Sequence, residues 1–147
     1  MNSGEGVASM KALTLLGLRV SLALLMVIWG VDKFVDPGHG AGVAARFYGG
    51  VLSAEAFMPV LGSFQLLLGV AVGLGAFPTY VYPALAAVTG ITLIGVWRSV
   101  VDPWGWYLEG SNVLFFPSLV VVLSALVLIA FRDEDVLRLG GKEERLP

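Results

Sequence analysis

One cation stands inside an otherwise apolar stretch of this chain. Arg19 falls within LLGLRVSLALLMVIWGVDKF, residues 15–34. A guanidinium carried into hydrocarbon costs at least ~2.5 kcal/mol unless it finds a partner. Its natural chemistry there is anion recognition. Matching apolar stretches by depth brings Ser124 to about the level of Arg19, with Gly69, Gly73 and Thr89 close by. No carboxylate of the chain is expected at that depth. Two readings stand. Arg19 reaches back to headgroups or caps backbone carbonyls, or it holds an anionic partner from outside the chain: a lipid phosphate, a quinone-type oxygen or another subunit.

A second group of polar side chains gathers at the opposite level. It comprises Asp32, Lys33, Asp36, His39, Arg46, Glu55, Arg98, Asp102 and Glu109, among Trp29, Trp97, Trp104 and Trp106. Asp32 and Arg98 end two apolar stretches and are expected to pair. The group reads either as a solvated rim with an aromatic belt, or as a docking face or pocket mouth built on Asp32, Lys33, Trp97, Arg98, Asp102, Trp104 and Trp106. One histidine, His39, near Asp32 and Asp36 falls short of a metal-ligand set, and no metal site is assigned. Ser63, Gln65, Thr89 and Thr92 suit hydrogen bonding between helices. No nucleophile–base pair and no phosphate-binding glycine loop is present, so no catalytic residue is assigned.

Composition says where such residues must be held. Mean hydropathy is +0.86, and charged residues make up 14% of the 147, against about a quarter in a soluble domain. That is the pattern of a polytopic membrane protein. A net charge of −2 without a basic patch argues against nucleic acid as a partner. The absence of cysteine excludes thiolate metal sites, iron–sulfur clusters and thiol relays. A single histidine excludes a bis-histidine haem within one chain.

The elements follow in order. Residues 1–10 read as a frayed tail. Apolar spans are expected at about 12–31, 57–77, 82–100 and 113–131. The first is too long for a signal h-region and lacks a small-residue cleavage site, so it is read as a retained span. Asp36-Pro37-Gly38 and Asp102-Pro103 signal turns opening the connections 32–56 and 101–112. The first connection can hold a short interfacial helix. Gly69 and Gly73 form a GxxxG pair that lets another helix approach. Phe77 to Pro83 is a tight turn with Tyr80 and Tyr82 at headgroup level, making spans two and three antiparallel neighbours. Residues 132–147 form a charged tail, read as solvated. The repeated Asp-Pro after spans one and three hints at a two-span internal repeat. The expected fold is all-α: one integral membrane four-helix bundle and no second domain.

Four spans place both termini on one side. That side carries Lys11, Arg132, Arg138, Lys142 and Arg145, against Lys33, Arg46 and Arg98 on the other. The excess places both termini in the cytoplasm, with all four tryptophans at the outer interface.

Leu18-Arg19-Val20 early in the first span, and Gly30-x-x-Lys33-Phe34 at its far end, resemble the DoxX family. The resemblance extends over about residues 12–131 through the four-span layout, the long first connection, the Gly-rich second span and the Pro-bracketed turn. It implies a small four-helix protein of the prokaryotic cytoplasmic membrane. Several members are subunits of redox assemblies, including a terminal quinol oxidase, a thiosulfate:quinone oxidoreductase and an oxidative-stress complex. Arg19, Gly30 and Lys33 are the positions that carry over. The Trp-rich second connection departs from the family pattern and implies a specialised partner.

Three functions suit such a chain. The first is an accessory subunit of a membrane-bound, quinone-linked oxidoreductase of the respiratory type, giving packing surface and an outer docking rim. It would contact other subunits and lipids and hold no cofactor by itself. The second is a subunit that binds a quinone or phospholipid and takes part in turnover. The third is a small transporter, which the absence of a carboxylate within the spans disfavours. The accessory reading accounts best for a chain without redox ligands.

Overall fold

A computed structural model describes residues 3–139, with side chains from residue 6 onward. The described residues form helices and connections with no strand. Helix α1 spans Ser3–Val35. Its 33 residues extend ~50 Å at 1.5 Å each. The stretch expected to fray is helical from Ser3, because nothing in it breaks a helix before Pro37.

Proline ends α1 indirectly. Asp36, the residue before Pro37, is pushed out of the helical region to φ −138°, ψ 79°. Its side chain then accepts a 3.0 Å bond from the His39 N–H. Asp36-Pro37 is thus the N-cap and first position of a helix, not the free turn expected. Helix α2, Pro37–Phe47, follows. A 3-10 turn, Glu55–Phe57, leads into α3, Met58–Leu74. Gly75 closes α3 in the left-handed region at φ +65°.

The next helix, α4, spans Pro78–Gly95. It starts earlier than the expected 82 and runs through Pro83, which removes one bond to the carbonyl of Thr79 in the first turn. A break at Val96 separates α4 from the short α5, Trp97–Val101, so the third span stops at Gly95. A second 3-10 turn, Val113–Phe115, precedes α6, Ser118–Ala130. Arg132–Glu134 forms a last 3-10 turn. Residues 140–147, part of the expected solvated tail, lie outside the described residues.

Among the described residues, four helices are long and apolar enough to cross a membrane: Gly6–Val35, Glu55–Leu74, Pro78–Gly95 and Val113–Ala130. They form two hairpins, α1 with α3 and α4 with α6, which meet through a shared core. Met26 and Leu22 of α1, Val72 and Leu68 of α3, Leu85 and Tyr82 of α4, and Leu128 and Ala125 of α6 meet there. The outward faces are apolar as well: Ile28, Leu67, Ile94 and Leu123 are all exposed. Helices apolar on both faces fit an integral membrane protein, where lipid takes the place of a second core. One end of the bundle gathers the start of α1, the α3–α4 turn and residues 132–139; we call it the terminal end. The other carries α2, α5 and both long connections.

Candidate functional site

Arg19 is buried, with 2% of its surface exposed. Its Nη1 donates to both carboxylate oxygens of Asp135 at 2.8 Å. Its Nη2 donates to the carbonyl of Leu137. The Tyr82 hydroxyl donates to the same carboxylate. Asp135 and Tyr82 are both 0% exposed. This overturns the expectation that no carboxylate reaches Arg19. The chain turns back after α6, and residues 132–139 run beneath the bundle, where the Leu139 N–H bonds the Leu74 carbonyl at 2.8 Å. That bond satisfies a carbonyl that the α3 C-terminus leaves open. Lys11 pairs with Glu134 and lies 5.4 Å from the Phe131 ring centroid, fixing α1 to the same segment. The described part of the tail is therefore docked rather than solvated.

Arg19 also lies shallower than its place in the sequence suggests. A Cβ added at Gly75 would meet its Nη1 at 2.9 Å, so it is level with the end of α3. The expected companions do not surround it. Gly69 packs against Val27, Ala23 and Met26 of α1, and Gly73 against Ala23. Ser124 is half-buried on α6 and is not among the hydrogen-bond partners of Arg19. Thr89 donates to Leu85 and Ala86 carbonyls of its own helix. Thr89, Thr92 and Ser118 instead line a cleft of about 260 Å³ with Leu25, Trp29 and Phe115, towards the connection end.

Tyr82 and Asp135 are the residues that sequence reading missed. Tyr80 is exposed, as expected of a headgroup tyrosine, but Tyr82 faces the core. The signal for Asp135 was the apolar Val136, Leu137 and Leu139 set between charges, a pattern suited to a segment lying on the bundle end.

At the connection end Asp32 pairs with His39 Nδ1 at 2.9 Å, and not with Arg98 as expected. Lys33 donates to the Trp29 carbonyl of its own helix at 3.2 Å. Asp102 is buried, at 6% exposed. Its carboxylate accepts the N–H groups of Trp106 at 3.0 Å, Tyr107 at 2.6 Å and Leu108 at 2.8 Å. Burial acts to raise the pKa of this carboxyl. The N–H donors of Tyr107, Leu108, Trp106 and Gly105 outweigh it and hold the group below its ordinary value. Asp102 is thus a loop organiser, and the loop it ties presents Trp104 stacked on Trp106, 5.1 Å between ring centroids, with both rings exposed. Arg98 and Trp97 sit on α5, the guanidinium carbon 5.8 Å from the indole centroid. The Asp102 cradle therefore builds an aromatic platform, whereas the Arg19 charge is paired within the chain, its Nε alone lacking a partner among the described residues.

No family model, curated protein or solved structure matches this chain.

Proposed function

We propose that the chain is an accessory subunit of a larger membrane-bound, quinone-linked oxidoreductase of the DoxX type. Its four helices cross a prokaryotic cytoplasmic membrane with both termini in the cytoplasm. The observation that carries this reading is the closure of Arg19 on Asp135, Tyr82 and Leu137. The guanidinium that the first apolar span carries is paired from within the chain, as suits a scaffold. What remains outward is an apolar surface for lipid and neighbouring helices, and the platform of Trp104 and Trp106 for a partner. The excess of basic residues at the terminal end supports the orientation.

The cleft beside Thr89 favours a second reading, a subunit that itself holds a quinone or phospholipid. A cleft of about 260 Å³ with threonine hydroxyls, a tryptophan and apolar walls suits an amphiphile better than the closed Arg19 cluster does. The deciding experiment is purification from the native membrane in gentle detergent, with mass spectrometry of the proteins and lipids that stay bound. Stoichiometric redox subunits support the accessory role. A lone chain carrying a small amphiphile, lost on Thr89→Phe, supports the second reading and sinks the first.

A further inference from the structure

A second cavity, of about 290 Å³, opens at the connection end between the end of α2, the α4–α5 break and the loop after Asp102. Two arginines line it, Arg46 from α2 and Arg98 from α5, with Trp97, Phe47 and Ser99. Neither arginine makes a salt bridge among the described residues. Each instead lies near an aromatic ring: Arg46 is 5.5 Å from the Phe47 centroid and Arg98 is 5.8 Å from that of Trp97. The carboxylates close by in the chain do not pair with either arginine among the described residues. Asp102 is taken up by backbone N–H groups, and no salt bridge joins Glu109 to either arginine among the described residues.

Ser99 adds an independent sign. It is 1% exposed and lines the cavity. Its hydroxyl oxygen accepts the Asn112 N–H at 3.0 Å, and no acceptor for its own proton is found among the described residues. A buried hydroxyl with a donor to spare, on the wall of a cavity that two arginines also line, calls for an acceptor-only group bearing negative charge. Phosphate oxygens meet that demand, and the planar fork of arginine matches them in pairs of hydrogen bonds. Phe47, Trp97 and Ile94 give the same cavity an apolar side, which suits a group held at the edge of a hydrocarbon layer.

We propose that Arg46, Arg98 and Ser99 form a binding site for a terminal phosphate group, carried by a lipid headgroup or free in solution as inorganic phosphate. The site is separate from the Arg19 cluster and from the cleft beside Thr89. It does not depend on the accessory role, and its test reads lipid and phosphate binding rather than co-purified proteins.

The full chain is purified and exposed to equal amounts of phosphatidic acid and phosphatidylcholine, and the retained lipid is measured by native mass spectrometry. In parallel, the chain in phosphatidylcholine nanodiscs is titrated with inorganic phosphate while tryptophan fluorescence is followed. The wild type is expected to retain phosphatidic acid over phosphatidylcholine by about tenfold or more, the worth of one charge-assisted contact. R46Q/R98Q abolishes that preference while keeping its helical circular dichroism. S99A, which leaves the charges in place, reduces it severalfold. A saturable fluorescence response to inorganic phosphate, lost in R46Q/R98Q, assigns the site to the free ion; preference for phosphatidic acid without that response assigns it to the headgroup. Equal retention of both lipids with no phosphate response overturns the proposal. So does a preference that both S99A and R46Q/R98Q leave intact.

Discussion

Arg19, Asp135 and Tyr82 hold the terminal end together across a long sequence separation. Removing one partner of a buried ion pair strands the other, so Asp135→Asn should lower stability by about 3–5 kcal/mol. Arg19→Met combined with Asp135→Leu should recover most of that loss, because the desolvation of both charges disappears with them. Unfolding in denaturing detergent, run as a double-mutant cycle, checks both. Tyr82→Phe leaves one carboxylate lone pair unanswered and should cost about 1–3 kcal/mol. At the other end, Asp102 gives a pH dependence. Its carboxyl lies below the ordinary value of 3.8. The loop order it provides is therefore complete above that value and is lost as pH falls through the lowered one. Fluorescence of Trp104 and Trp106 should stay constant from neutrality to pH ~4 and change only in stronger acid. In Asp102→Asn the altered signal should already be present at neutral pH.

Between α1 and α3 the backbones approach closely at two levels. A Cβ on Gly62 would stand 2.9 Å from the Gly30 carbonyl and 2.8 Å from a Phe34 ring carbon; on Gly69 it would stand 3.0 Å from the Ala23 carbonyl. A carbonyl on a helix backbone cannot swing aside. Gly62→Ala should therefore loosen this pair at a cost of about 1–3 kcal/mol. Gly17 is the control: nothing lies within 4 Å of an added Cβ, so Gly17→Ala should leave stability unchanged or raise it by up to ~1 kcal/mol through helix propensity. Thermal unfolding of the two variants side by side separates crowding from propensity. The GxxxG spacing of Gly69 and Gly73 thus admits the close approach of α1.

The two hairpins share a plan: a long apolar helix, an Asp-Pro step whose carboxylate takes backbone N–H groups, a connection, a 3-10 turn, then an apolar helix with proline near its start. Asp36 accepts one backbone N–H as a helix cap and Asp102 accepts three from a loop, and Pro59 and Pro117 stand near the starts of α3 and α6. A chain without cysteine gives a clean test of the orientation proposed for this plan. Single cysteines at Glu109 and at Asp133, both exposed, should label from opposite sides of intact cells: Glu109→Cys with an impermeant maleimide from outside, Asp133→Cys only after permeabilisation. Labelling of both from outside would refute a parity of four spans.

Four apolar helices, their approximate places and the exceptional standing of Arg19 were legible in the sequence, because hydropathy and helix period are local properties. Helix ends were less so. Pro37 and Pro78 each open a helix near its first position, and Pro83 lies inside α4 at the cost of one backbone bond, where the sequence pattern suggested breaks. The partner of Arg19 was not legible at all. Asp135 lies 116 residues away, in a charged tail whose composition suits water. Only the return of residues 132–139 under the bundle brings it to the guanidinium. Likewise Asp32 met His39, one helix end away, in place of Arg98, and Arg46 came to line one cavity with Arg98 only through the docking of α2 beside the α4–α5 break. Apolar patterning decides which segments leave water. Which charge meets which is settled by how the connections and the tail fold over the bundle ends, where a few hydrogen bonds between distant residues outweigh any local preference.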